Sequence, residues 1–213
     1  VLLGCDPVTG RPRIPPDVLK AAVVGGLLAD LFLSGRLYLA DGGVHAGQDR
    51  IVPVPRVQRI ACDRVRARPG RDIGFWVGHL DPVPGLVVAG LVRSGFLRQV
   101  RVRCAGSWWR RSWALAPAGP AFCRARVRGL GMILARSEPL TDRTLALAGL
   151  VDAAGLLPVV VHAAGITTVT DRSTIVPVRA RIRHAFHHTA TPDLALVCAA
   201  VTATTGPDTV LPA

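Results

Sequence analysis

The chain has 213 residues, half of them apolar, and a formal net charge of +12 in which Lys20 is the only lysine. That apolar content excludes a disordered chain. The longest apolar run, residues 21–29, excludes a membrane-spanning helix, which needs ~20 apolar residues. Five scattered cysteines (5, 62, 104, 123, 198) without a C-x-x-C step suit neither a disulfide framework nor a zinc site, and they fit a reducing compartment. No secretory signal is visible, so a soluble, cytoplasmic protein is expected. Part of the arginine surplus reflects the Arg, Ala, Val, Gly and Pro usage of a GC-rich genome. That usage does not explain the shortage of acids, 14 against 26 basic residues, which points to a polyanionic partner.

In chain order, residues 5–17 are turn chemistry, and Asp17 is placed to cap a helix that runs to a stop at Gly35. Apolar residues surround that helix on most sides, which puts it at the centre of the fold. Gly25-Gly26 inside it reads as a close-packing step rather than a phosphate loop. Asp41-Gly42-Gly43, flanked by alternating apolar residues, predicts a small hairpin. Residues 55–72 form a basic helical or irregular segment ending at Pro69-Gly70, and 73–80 a short helix or turn. Helical spacing follows up to Gly95.

A longer hairpin is expected from "FLRQVRVRC" and "WWRRSWALA", joined through 105–107. Residues 119–135 read as a helix, and Thr141 caps another that ends before Pro158. The β-branched residues of 159–174 suggest a strand. A basic helix follows at 176–188, then a final apolar helix started by Pro192-Asp193. The fold class is mainly α, a single-domain helical bundle over 1–213 with two small β-hairpins.

His184, His187 and His188 share one helix face at metal-ligand spacing, but their neighbours are Arg179, Arg181 and Arg183, and a solvated basic face is expected. No metal, cofactor or catalytic motif is predicted, and several carboxylates fall at caps and turns. The residues that stand out are "GSWWRRSW", 106–113, which hold three of the four tryptophans interleaved with arginine. Trp113 lies far from the turn and is expected in the core, whereas Trp108 and Trp109 lie at the turn. Tryptophan prefers the water–bilayer interface. Each arginine near an anionic leaflet contributes ~1 kcal/mol. The candidate membrane-binding residues are therefore Trp108, Trp109, Arg110 and Arg111, with Arg98, Arg101 and Arg103 on the opposing strand. The same residue types also make protein–protein hot spots, so an oligomer contact through the hairpin is the competing reading.

The segments "LLGCDPVTGRP", "LLADLFLSGRLYL", "LVRSGFLRQ" and "DRTLALAGLVDAAGLLPVV", and the order of elements around them, resemble the Golgi phosphoprotein 3 family in its bacterial, actinobacterium-like branch. The resemblance implies a largely helical domain and peripheral membrane binding, through phosphatidylinositol 4-phosphate in the family's eukaryotic members. It also implies a hairpin, here 96–114, that touches the membrane and can mediate oligomer contacts. Carried over residue by residue, the family's lipid-contacting Trp and first Arg fall on Pro15 and Val24, and its two further basic positions on Asp81 and Pro84. None keeps its chemistry, and Asp81 would repel a phosphate.

The expected function is a non-enzymatic adaptor at the inner face of the membrane, with an unidentified protein cargo. It is drawn by arginine to anionic lipid and anchored by indole. The alternative is a nucleic-acid-binding domain that uses the same basic surface, with arginines on phosphates and Trp108 stacked on a base.

Overall fold

The computed structural model describes residues 2–6, 13–47, 55–103, 109–136, 138–165, 172–188 and 192–206. The chain is mainly α with two small antiparallel sheets, as expected. A single 3-10 turn, Leu2–Gly4, precedes α1 (Pro16–Leu33), β1 (Leu37–Ala40), β2 (Gly43–Ala46), α2 (Arg56–Ala67), α3 (Ile73–His79) and α4 (Pro82–Arg93). The second sheet, β3 (Leu97–Arg103) and β4 (Trp109–Leu115), follows. The chain then continues through α5 (Gly119–Ala135), α6 (Asp142–Ala153), α7 (Leu157–Ala163), α8 (Arg172–His188) and α9 (Pro192–Thr205).

Helix α1 is the central element and packs on α9, α6, α4 and α3. Ten of its residues are buried. A Cβ built at Gly25 would come within 2.6 Å of a Val201 methyl and 2.8 Å of a Leu150 methyl, so the missing side chain is what lets α9 and α6 approach. The start of α1 differs from expectation. Its cap position is Pro15, and Asp17 lies inside the first turn without a capping bond. Two prolines set the entry, because a proline at the first helical position is pre-shaped for the helix and its missing N–H costs nothing there. Asp17 instead meets the positive end of the helix dipole.

The first hairpin turns through Asp41 (φ 52°) and Gly42 (φ 75°), the two left-handed residues that a tight two-residue loop demands. Thr141 caps α6 as predicted, its hydroxyl accepting the Thr144 N–H. One secondary-structure reading is overturned. Residues 159–163 lie in α7, not in a strand. Pro158 sits in that helix's first turn, and Val160 and Val161 are buried, so packing overrides the strand preference of β-branched residues. Helix α8 starts earlier than expected and carries Pro177 inside it.

The core divides into two clusters. One lies under the first hairpin and gathers Leu37, Val44, Val65, Trp76 and Leu194. The other lies under the second and gathers Leu97, Leu115, Cys123, Leu157 and Val161. Helices α1 and α6 contribute to both. Among the described residues no single helix is long and apolar enough to cross a membrane. The pairs α3–α4 and α6–α7 reach that length together but bend by 57° and 116°.

Candidate functional site

The second hairpin begins where α4 stops at Gly95 (φ 73°) and Phe96 donates to the Leu91 carbonyl at 3.0 Å. Its base is fixed from both strands. Leu97 pairs with Leu115, both are buried, and half-buried Trp113 packs on the same cluster, as the sequence suggested. Phe96 meets Phe122 of α5 with ring centroids 4.5 Å apart. Arg98, opposite Ala114, is exposed.

Beyond the base, the register sets Arg101 opposite Arg111, Val102 opposite Arg110 and Arg103 opposite Trp109. The two strands therefore bring Arg101, Arg103, Trp109, Arg110 and Arg111 into one ribbon. Neither strand contains an acid. Like charges directly opposite in an antiparallel pair are destabilising. Trp108 and the connection 104–108 lie outside the described residues.

The positions carried over from the family's lipid pocket do converge. Val24, Asp81 and Pro84 line a cleft of about 150 Å³ with Asp17 and Lys20, and Pro15 stands at the start of the same helix. The chemistry differs from a phosphate site. Lys20 Nζ lies 3.6 Å from Asp81 Oδ1, both side chains are well exposed, and Asp17 adds a second carboxylate. One ammonium against two carboxylates leaves the cleft unfavourable to an anion. The carry-over passed over Lys20, although it lies one turn before Val24 on the same face of α1.

Helix α2 and the turn after it form a second basic surface, outside the candidate residues drawn from the sequence. Arg56, Arg59, Arg64, Arg66, Arg68 and Arg71 are all exposed. Ala61, Cys62 and Val65 are buried on the other side, so the helix is amphipathic. Three of these arginines have local partners, Arg71 lying over the Phe75 ring at 5.4 Å. Arg66 pairs with Asp63 at 2.9 Å, and Arg64 donates to the His79 carbonyl at 3.3 Å.

On α8, His184 and His188 do share a face, with ring centroids 4.3 Å apart, and all three histidines are exposed. Their arginine neighbours are not the uniform solvated face that was expected. Arg179 pairs with Asp152 at 2.7 Å, and Arg181 donates to the carbonyls of Leu134 and Glu138. Those two guanidinium groups tie α8 to α6 and to the end of α5, which leaves Arg183 beside the histidines. Among the described residues no group of three or more His, Cys, Asp or Glu side chains could hold a metal.

The cysteines described are reduced. Burial pushes the Cys5 thiol up to about 11 and the Cys198 thiol up to about 12, and it raises Cys123 as well. Cys123 Sγ donates to the Leu2 carbonyl at 3.0 Å. Protonated, buried thiols are poor nucleophiles.

These observations define a class: a mainly helical, arginine-rich domain that presents an acid-free two-stranded ribbon. The family follows from the sequence match. Residues 1–174 match the family model described as Golgi phosphoprotein 3 (GPP34), and the chain belongs to that family. The chain matches no curated protein.

Proposed function

We propose that this chain is a peripheral, non-enzymatic membrane adaptor that docks on anionic lipid at the inner face of a membrane. The single observation that carries the reading is the second hairpin, whose register sets arginine opposite arginine with no acid in either strand. A negatively charged surface offsets that repulsion and gains from each arginine near it. Trp108 and Trp109 then anchor the ribbon at the interface. Family membership supports a lipid partner in general. The Lys20–Asp81 cleft argues for bulk anionic lipid over a single headgroup such as phosphatidylinositol 4-phosphate.

Vesicle flotation at physiological salt tests this reading with neutral vesicles, phosphatidylglycerol vesicles, and vesicles carrying phosphatidylinositol 4-phosphate at matched charge. Equal binding to both anionic sets is expected. Preference for the phosphoinositide would restore a specific pocket, and binding to none would reassign the hairpin to a protein partner or a second copy. The nucleic-acid reading is carried by exposed α2 as well as the hairpin. Sequence preference among DNA duplexes at fixed salt would favour it over the membrane.

A further inference from the structure

A large open cavity lies away from both the hairpin strands and the Lys20–Asp81 cleft. It is an open groove of about 800 Å³, walled by α1 (Ala22, Val23, Gly26), by Val87 of α4 and by Leu147 of α6, with Leu3 also in its lining. A second cavity of about 710 Å³, between α4 and α5, shares Leu3, Val87, Arg126, Thr144 and Leu147 with the first. The two form one continuous trough. Its rim is unusually apolar for surface, since Leu147 is 42% exposed and Ile133 43% exposed.

Two features state what fits such a trough. The first is its lack of spare hydrogen-bonding groups. Its main walls are helices, whose backbone groups are bonded internally. Apart from its two arginines, Arg126 and Arg143, its polar side chains are already engaged: Thr141 and Thr144 meet each other at 2.9 Å, and Asp30 accepts from Gln58 at 2.6 Å and from Arg143 at 3.1 Å. A peptide would find partners for its own backbone only at those two guanidinium groups. An alkyl chain needs none.

The second feature is charge. Arg126 lines both cavities, is exposed, and lies over the Phe122 ring at 4.8 Å. Among the described residues no carboxylate pairs with it. A guanidinium on an aromatic face keeps in-plane N–H donors for a carboxylate. We infer that this groove binds a long-chain fatty acid, with the alkyl chain in the trough and the carboxylate on Arg126.

The test is displacement of cis-parinaric acid from the full chain, in buffer without vesicles, by octanoate, laurate and palmitate. Affinity rises about fourfold per added methylene if the chain is buried. The variant Arg126→Gln weakens laurate at least about tenfold and leaves dodecanol unchanged.

The variant Gly26→Leu fills the trough. A Cβ at Gly26 meets only Leu150 Cδ1, at 3.8 Å, and replacing a helix-interior glycine favours the helix. It abolishes binding of both ligands while the circular dichroism melt stays at or above that of the unaltered chain. Affinity that ignores chain length would reduce the effect to surface charge and overturn the inference. Full binding by Gly26→Leu would overturn it too, as would loss of a dimer in that variant without any fatty-acid binding, which gives the groove to a second copy. No bilayer is present, so these outcomes are independent of the flotation result.

Discussion

The two hairpins share a topology and differ in what holds them. The first is sewn into the body of the protein. Leu37 and Val44 are buried, Val44 N–H donates to the Arg71 carbonyl at 2.8 Å, and Gly70 N–H donates to the Val44 carbonyl at 3.2 Å. Residues beyond its own strands thus fix the pairing. The second is anchored at its base by Leu97, Trp113 and Leu115, and beyond that its register places arginine across from arginine. The same motif serves as a structural clasp in one place and as a charged ribbon in the other. Core contact, not strand pairing, distinguishes the two roles.

The largest effect should come from attacking the clasp. Val44→Asp buries an unpaired carboxylate at a fully enclosed position and should cost more than about 4 kcal/mol in urea unfolding. Arg98→Asp on the exposed base of the ribbon should stay within about 0.5 kcal/mol.

Alkaline pH strikes the seats of both hairpins together. Cys5 belongs to the core cluster under the second hairpin, and Cys198 packs against the cluster under the first. Both thiols are raised from 9.0 by burial, so the unfolded chain loses these protons first. Stability is fully present below pH 9 and falls as pH rises through about 11 to 12, by up to ~1.4 kcal/mol per pH unit for each thiol. Urea titrations from pH 8 to 11 should show that fall, and Cys198→Ala should flatten it.

Trp108→Ala combined with Trp109→Ala should lower partitioning onto phosphatidylglycerol vesicles about tenfold, with an unchanged melting temperature. Partitioning equal to that of the unaltered chain would remove the anchor role. A charge reversal separates function from stability within the ribbon. Arg111→Glu sets opposite charges face to face across from Arg101 and should stabilise the fold by ~0.2–1 kcal/mol while weakening vesicle binding. A variant that is less stable and still binds would reverse the proposed roles of the two hairpins.

Features written in neighbouring residues were legible in the sequence. Asp41-Gly42 specified a turn, Thr141 a cap, and Gly25 a close helix contact, because each depends on local geometry or on the mere absence of a side chain. The capping role of Asp17 failed because Pro15 and Pro16 already define the helix start. The strand expected over 159–174 failed at 159–163 because burial of Val160 and Val161 between helices outweighs their intrinsic preference, and residues 166–171 lie outside the described residues. The sequence also marked the arginines of the second hairpin, and the structure adds their cross-strand register. It could not show that Arg179 and Arg181 are committed to the fold, or that Gly26 and Arg126 line one trough. Those relations join residues far apart in the chain and exist only once the helices have packed.

Lys20, the lone lysine, sits in α1, the helix on which α3, α4, α6 and α9 converge. A protease that cuts only after lysine therefore has one bond to attack, and helical backbone does not fit a protease cleft until it unwinds. The rate of that single cut measures how often the central helix opens, without any probe attached, and a ligand seated against α1 would slow it.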